Sequence, residues 1–304
     1  MTLVWALLLR GVLLLAAPPL LLGIIARVKA VVAGRRGAPL LQPYRDLLRL
    51  LRKGAVYSGT TTWVFRGAPI VALAATVVAG CLLPLDPRAA AVGFDGDLVL
   101  FAYLLGLARF VMMSAALDTG SSFEGMGASR EAAIGALAEP ALFLVLLTLA
   151  VATHQLSLAA IFTTLGSAGG ASPALLLCAA ALGAVLLAEN ARMPIDDPTT
   201  HLELTMIHEV MVLDHSGPDL ALIEYGSAMK LLVTAALFVG VLAPRAFSQP
   251  LGLFAGLLAV AVGIGMVESV MARLRLPRVK QFLIGATALA AVALAAQLFA
   301  QGAA

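Results

Sequence analysis

The sequence predicts an all-α integral membrane protein of about eight transmembrane helices, with one amphipathic helix on the cytoplasmic face. Three observations carry that reading. Of 304 residues, 61% are hydrophobic and only 12% charged, about half the charged share of a soluble domain; mean hydropathy is +1.00. Eight apolar runs approach the ~20 residues that span a bilayer: 2–26, 67–85, 98–117, 132–153, 173–189, 219–243, 250–272 and 281–300. The basic residues between these runs also alternate in density. The whole of 1–304 reads as a single polytopic domain.

The first run has a small-residue stretch, Ala16-Ala17-Pro18, of the kind a signal peptidase cuts. However, its only basic residue is the internal Arg10, and a dense basic loop follows it. That charge order opposes a signal peptide and favours an N-terminus outside. The loop after it carries Arg27, Lys29, Arg35, Arg36, Arg45, Arg49, Arg52, Lys53 and Arg66. With Arg130, Arg192, Arg273, Arg275, Arg278 and Lys280, one side collects 15 cations, against Arg88 and Arg245 on the other. The positive-inside rule then puts both termini outside. The inner loops fall at about 27–66, 118–131, 190–218 and 273–280. Within the first, Pro43 to Lys53 sets Tyr44, Leu47, Leu48, Leu50 and Leu51 against Arg45, Asp46, Arg49, Arg52 and Lys53. This is a helix for the headgroup zone, or one wall of a docking surface.

The net charge of +3 follows topology and does not point to nucleic acid. Cys81 and Cys178 lie singly in apolar runs and read as small buried hydrophobes, too few for a cluster or a structural zinc. No internal repeat is visible, which argues against a stand-alone proton-coupled carrier built from repeats.

Carboxylates inside spans are the chemical signal. Glu139, Glu189, Glu224 and Glu268 sit on four different runs, all toward the cytoplasmic half, with Lys230 and Arg109 as compensating charges. A charge at membrane depth costs at least about 2.5–3.5 kcal/mol, so these groups are expected to face one another around a wet interior. Two uses remain open on the residues alone. One is a proton relay, since buried neighbouring carboxyls hold and pass protons. The other is static Glu–Arg and Glu–Lys pairing that pins helices together.

The stretch Glu189 to Lys230 holds the densest titratable chemistry. Pro194 and Pro198 forbid a continuous helix. Thr200 with Glu203 forms a capping box that predicts a new helix running to about Leu213. His201 and His208 are seven residues apart, and with Glu209 and His215 nearby they lack the one-turn spacing of a zinc-binding pair. Surface histidines contacting a partner protein are the simpler expectation.

The run Glu189-Asn190-Ala191-Arg192-Met193-Pro194-Ile195-Asp196, then His201-Leu202-Glu203-Leu204-Thr205-Met206-Ile207-His208-Glu209 and Ser216-Gly217, resembles a known family. Further matches are Arg35-Arg36-Gly37-Ala38-Pro39 with Leu41-Gln42-Pro43 and Asp46; Asp118-Thr119-Gly120 with Gly127-Ala128-Ser129-Arg130-Glu131 and Glu139-Pro140; and Glu268 with Arg273, Arg275, Pro277 and Arg278. The resemblance covers essentially the whole chain. It is to the membrane subunit shared by respiratory complex I, its subunit 1, and the group 4 membrane-bound nickel–iron hydrogenases, on the formate-hydrogenlyase-like side.

The resemblance implies a non-catalytic anchor and coupling subunit in a prokaryotic inner membrane. It would hold no cofactor of its own. Hydrogenase large and small iron–sulfur subunits, carrying [4Fe-4S] clusters and a Ni-Fe centre, would dock on its inner loops, and antiporter-like subunits would lie beside it. By resemblance the charged axis begins at Glu139, Glu189 and Glu224, and with Lys230 and Glu268 added from the charge pattern these are the expected proton-relay residues. Arg35, Arg36, Gln42, Asp46, Arg130, Arg192 and Asp196 form the docking face, and Glu203 and Glu209 bridge the two. The broken loop 193–200 is the candidate two-state element. Ala191, Thr199, Thr200, His201 and Gly37-Ala38-Pro39 depart from the complex I pattern at the family's quinone cavity. That places quinone in doubt, and a quinone-binding subunit 1 of an NADH:quinone oxidoreductase is the alternative.

Overall fold

The computed structural model describes residues 3–85, 93–168, 172–196, 206–245 and 250–302. Among these the backbone is helical, with no strand. The helices are α1 (Leu3–Val32), α2 (Gln42–Leu51), α3 (Trp63–Leu82), α4 (Asp97–Asp118), α5 (Ser122–Thr153), α6 (Leu158–Ala168), α7 (Pro173–Glu189), α8 (Gly217–Leu242), α9 (Pro250–Val270) and α10 (Leu276–Gly302). Seven are long and apolar enough to cross a membrane: α1, α3, α4, α5, α8, α9 and α10. The shorter α7 has 17 residues, about 26 Å at 1.5 Å each. Every expected span therefore finds its helix, and the protein is a multi-pass membrane protein.

Helix α8 sits innermost, packing against α1, α2, α3, α7 and α9, while α5 packs against α4, α7 and α10. Leu231, Leu232, Ala235 and Ala236 of α8 are enclosed, as are Val145, Leu146 and Leu149 of α5 and Cys178 and Leu182 of α7. Between spanning helices, lipid is as apolar as leucine, so close packing rather than water exclusion holds such contacts.

The loops rich in cations meet at one end of the bundle, here called the basic end. Asp118, closing α4, caps α3 by accepting from Thr62 N at 2.7 Å and Phe65 N at 3.3 Å. Glu124, in the first turn of α5, is fully enclosed and accepts from Asp214 N at 3.0 Å. Ser216 Oγ accepts from Val56 N at 3.0 Å. Beside it Gly217 has φ +55°, and a Cβ there would stand 2.5 Å from the Gly54 carbonyl oxygen. Only glycine suits that backbone and that approach. At the opposite end, Asp97 caps α6, accepting from Leu158 N at 2.7 Å and Ser157 Oγ at 3.0 Å.

Helix α1 contains Pro18 and Pro19. Proline has no N–H, so Pro19 leaves the Leu15 carbonyl without its usual i+4 donor. Tyr225 of α8 supplies one, its hydroxyl donating to Leu15 O at 2.9 Å. Tyr44 of α2 donates to the adjacent Ala16 carbonyl. These two tyrosines fasten α2 and α8 to α1.

Three expectations need correction. The inner loop at 118–131 is only a short turn, since α5 begins at Ser122 and carries Glu131 within it. The amphipathic helix stands at 42–51, but α6 was unforeseen; its 11 residues are too few to register as a span. The helix expected from Thr200 to Leu213 is not continuous. Residues 197–205 lie outside the described segments, Met206 to His208 are non-helical, and only a 3-10 turn forms at Glu209–Val212.

Candidate functional site

Buried charge gathers at Arg109, in the middle of α4. Its guanidinium reaches three carboxyls on two other helices. Nε lies 3.2 Å from Glu131 Oε1, while Nη1 and Nη2 hydrogen-bond to Glu139 and Glu189. Lys230 of α8 completes the group, its Nζ 3.1 Å from Glu189 Oε2. Arg109, Glu131 and Glu189 are each less than 8% exposed, and Glu139 is half-exposed. The planar fork of arginine suits this role, because its five N–H groups can serve several carboxylates at once.

The local sequence of α5 makes the geometry possible. Glu131, Gly135 and Glu139 follow at i, i+4 and i+8, one stripe on the helix. Arg109 lies across that stripe at its glycine: a Cβ on Gly135 would stand 2.5 Å from Arg109 Nη1. Asn190, closing α7, donates to Thr234 Oγ1 of α8 at 2.8 Å. This bond ties together the two helices that carry Glu189 and Lys230.

A second charged group lies at the basic end. Glu268 of α9 is bound by Lys29 of α1 at 2.9 Å and by Arg192 at 3.3 Å. Asp196, 3% exposed, pairs with Arg273 at 2.9 Å and accepts from Ile207 N at 3.1 Å. Leu274 N donates to Pro194 O at 2.8 Å. The segment 192–196 is thus clasped by α1, α9 and the α9–α10 connection.

The structure therefore sorts the expected site residues differently from the sequence. Glu139, Glu189 and Lys230 meet around Arg109. Glu268 does not join them and belongs to the clasp. Glu224 is exposed on α8, facing Asp46 and Arg49 of α2 rather than the cluster. Arg192 and Asp196, expected on a docking face, are turned inward into the clasp. Arg35 and Arg36 are exposed. Gln42 donates to Asp46 at 3.1 Å, and Asp46 pairs with Arg49 at 3.2 Å. Arg130 holds the Met206 carbonyl at 3.0 Å. Glu209 begins the 3-10 turn, and Glu203 lies outside the described residues. Sequence reasoning did not assign Glu131, Lys29 or Arg273 to any site. The eight-residue spacing from Glu131 to Glu139 was the available signal for the first.

His215, between the 3-10 turn and α8, is buried and stacked on Phe65 with ring centroids 3.9 Å apart. Neither ring nitrogen has a hydrogen-bond partner. Burial pushes its pKa down from 6.5 to about 4, against the opposing pull of Asp219 and Asp214. Among the described residues no group of three His, Cys, Asp or Glu is arranged to hold a metal ion.

A multi-pass helical bundle with paired charges inside it defines a class: a membrane protein that holds ionisable groups within an apolar interior. The NADH dehydrogenase family matches residues 4–300, so the chain belongs to that family of complex I subunit 1-like membrane proteins. It is 33% identical to formate hydrogenlyase subunit 4 of Escherichia coli K12, over 95% of this chain and 98% of that one. It is 34% identical to hydrogenase-4 component C of the same organism, over 80% of this chain and 76% of that one. In fold it matches a chain of the membrane-bound sulfane sulfur reductase, an archaeal respiratory membrane complex. There the TM-score is 0.81, with 24% identity, over 96% of this chain and 98% of that chain.

Proposed function

We propose that this chain is the membrane anchor and coupling subunit of a formate-hydrogenlyase-like or other group 4 hydrogenase complex. As a single polytopic domain in the prokaryotic inner membrane, it docks an iron–sulfur and nickel–iron catalytic arm on its basic end, which faces the cytoplasm, both termini lying outside. It relays protons toward antiporter-like neighbours through its buried glutamates. The identity to formate hydrogenlyase subunit 4 over 95% of the chain supports the assignment to that kind of complex.

One observation carries the relay: three carboxyls, Glu131, Glu139 and Glu189, share two cations, Arg109 and Lys230, inside the bundle. Two positive charges neutralise two carboxylates. The third carboxyl has no cation of its own, so the group holds one more acid than base. Glu189 contacts both cations, while Glu131 and Glu139 each pair with Arg109 alone of the two. A proton passed along these carboxyls moves charge without rearranging the helices.

Two experiments test the reading. A tagged subunit drawn from its native membrane in mild detergent should bring down hydrogenase subunits with nickel and iron. Flavin without nickel would instead support the complex I alternative with quinone. In membrane vesicles, Glu139→Gln and Glu189→Gln should abolish ion movement coupled to turnover; unchanged movement would remove the relay.

A further inference from the structure

We propose that His208 is the proton-loading residue of the buried cluster, exchanging protons between the basic-end surface and Glu131. The inference rests on the relay reading and adds the place where protons join it. Glu131 is 3% exposed. Its Oε1 faces Arg109, while its Oε2 is enclosed and has no hydrogen-bond partner. The imidazole Nε2 of His208 stands 3.4 Å from that oxygen. The His208 side chain is 28% exposed, so it touches both the surface and a carboxyl that the surface cannot reach.

The backbone that carries the ring is fixed from several sides. Arg130 of α5 holds Met206 O. Asp196 accepts from the N–H groups of Ile207 and His208, the latter at 3.4 Å, and Asp196 is itself pinned by Arg273. The charged groups about His208 are therefore Glu131 on α5 with Arg109 of α4 behind it, Asp196 and Arg273 on the loop side, Glu209 next in sequence, and Arg130.

Imidazole both accepts and donates through its two nitrogens. It takes a proton from the aqueous side and becomes an imidazolium, and Nε2–H then gives a proton to Oε2 of Glu131. The ring returns to neutral and Glu131 becomes a neutral acid. Arg109 is then left to Glu139 and Glu189. The step moves one proton and breaks no other bond.

The test uses the intact complex in sealed vesicles. His208→Gln should slow proton movement coupled to turnover by about 100-fold, the lower end for loss of a positioned proton-transfer group. Added imidazole should restore much of the rate in that variant and leave the native complex unaffected. Native-rate proton movement in an assembled His208→Gln complex would overturn the proposal, as would a loss that imidazole does not repair. If His208→Gln fails to assemble, Glu131→Gln is read in its place, and unchanged movement there also overturns it. Loss of coupling in Glu139→Gln with none in His208→Gln removes only the loading role. Silence in both removes the relay itself.

Discussion

Two charged groups lie within this bundle, and they are built on opposite balances. Around Arg109, three carboxyls face two cations, Arg109 and Lys230. At the basic end, three cations, Lys29, Arg192 and Arg273, hold two carboxylates, Glu268 and Asp196. A surplus of acid leaves one carboxyl without a cation of its own. A surplus of base leaves every carboxylate fully engaged, and its extra positive charge can be left to solvent. The first group is suited to exchange and the second to fastening. The difference lies in which side is in excess, which a count of buried charges alone would miss.

The largest effect should come from removing the hub. Arg109→Met strands three carboxyls, of which Glu131 and Glu189 are buried, and breaking such a buried group costs about 3–5 kcal/mol. We expect loss of the folded subunit, seen as failure to co-purify with its partners or as a collapsed melting transition in detergent. Gly135→Ala attacks the same hub more gently. The new methyl group must displace the guanidinium from 2.5 Å, an overpacking cost of about 1–3 kcal/mol. A melting temperature equal to the native one would mean that Arg109 does not lie over α5.

Glu268→Gln should separate the two groups. It weakens the clasp and lowers the melting temperature, while coupled ion movement per assembled complex stays at the native level. Loss of coupling in that variant would give Glu268 the relay role expected from sequence and erase the contrast.

The smallest effect concerns His215. Its folded-state pKa lies near 4, against 6.5 when unconstrained. Unfolded chains therefore bind a proton between those values that the folded chain refuses. The stability this neutral ring contributes is complete above about pH 6.5 and fades as pH falls toward 4. His215→Phe keeps the stacking on Phe65 and has no ring to titrate. Melting curves from pH 7 to 4 should be flatter for the variant than for the native protein.

Much of the fold was legible because membrane spans announce themselves by length and composition. The eight runs, and the helix near Pro43 with its one apolar side, were readable for that reason. The orientation of each helix about its own axis was not. Helices α5, α7 and α8 are apolar nearly all round, so no polar stripe marks which face turns inward. Glu224 was accordingly expected beside Glu189 and instead points outward, toward α2. Glu131 falls in an expected loop because its helix begins with Ser, Gly and Glu residues, which read as polar connection rather than as the first turns of a span. Arg192 and Asp196 looked like surface charges in a proline-broken loop. Their partners, Glu268 and Arg273, lie some 76 residues away, beyond the reach of any local pattern.

The tyrosine that completes α1 has a consequence for synthesis. Leu15 leaves the ribosome 210 residues before Tyr225. At about 5–20 residues per second, the first helix waits on the order of ten to forty seconds in or near the bilayer before the Leu15 carbonyl meets this donor. A gap of that kind is costly in lipid and cheap in water. Until its late partner arrives, α1 therefore has reason to linger beside the translocon or a hydrated neighbour. The arrival of α8 would then decide when the first helix settles.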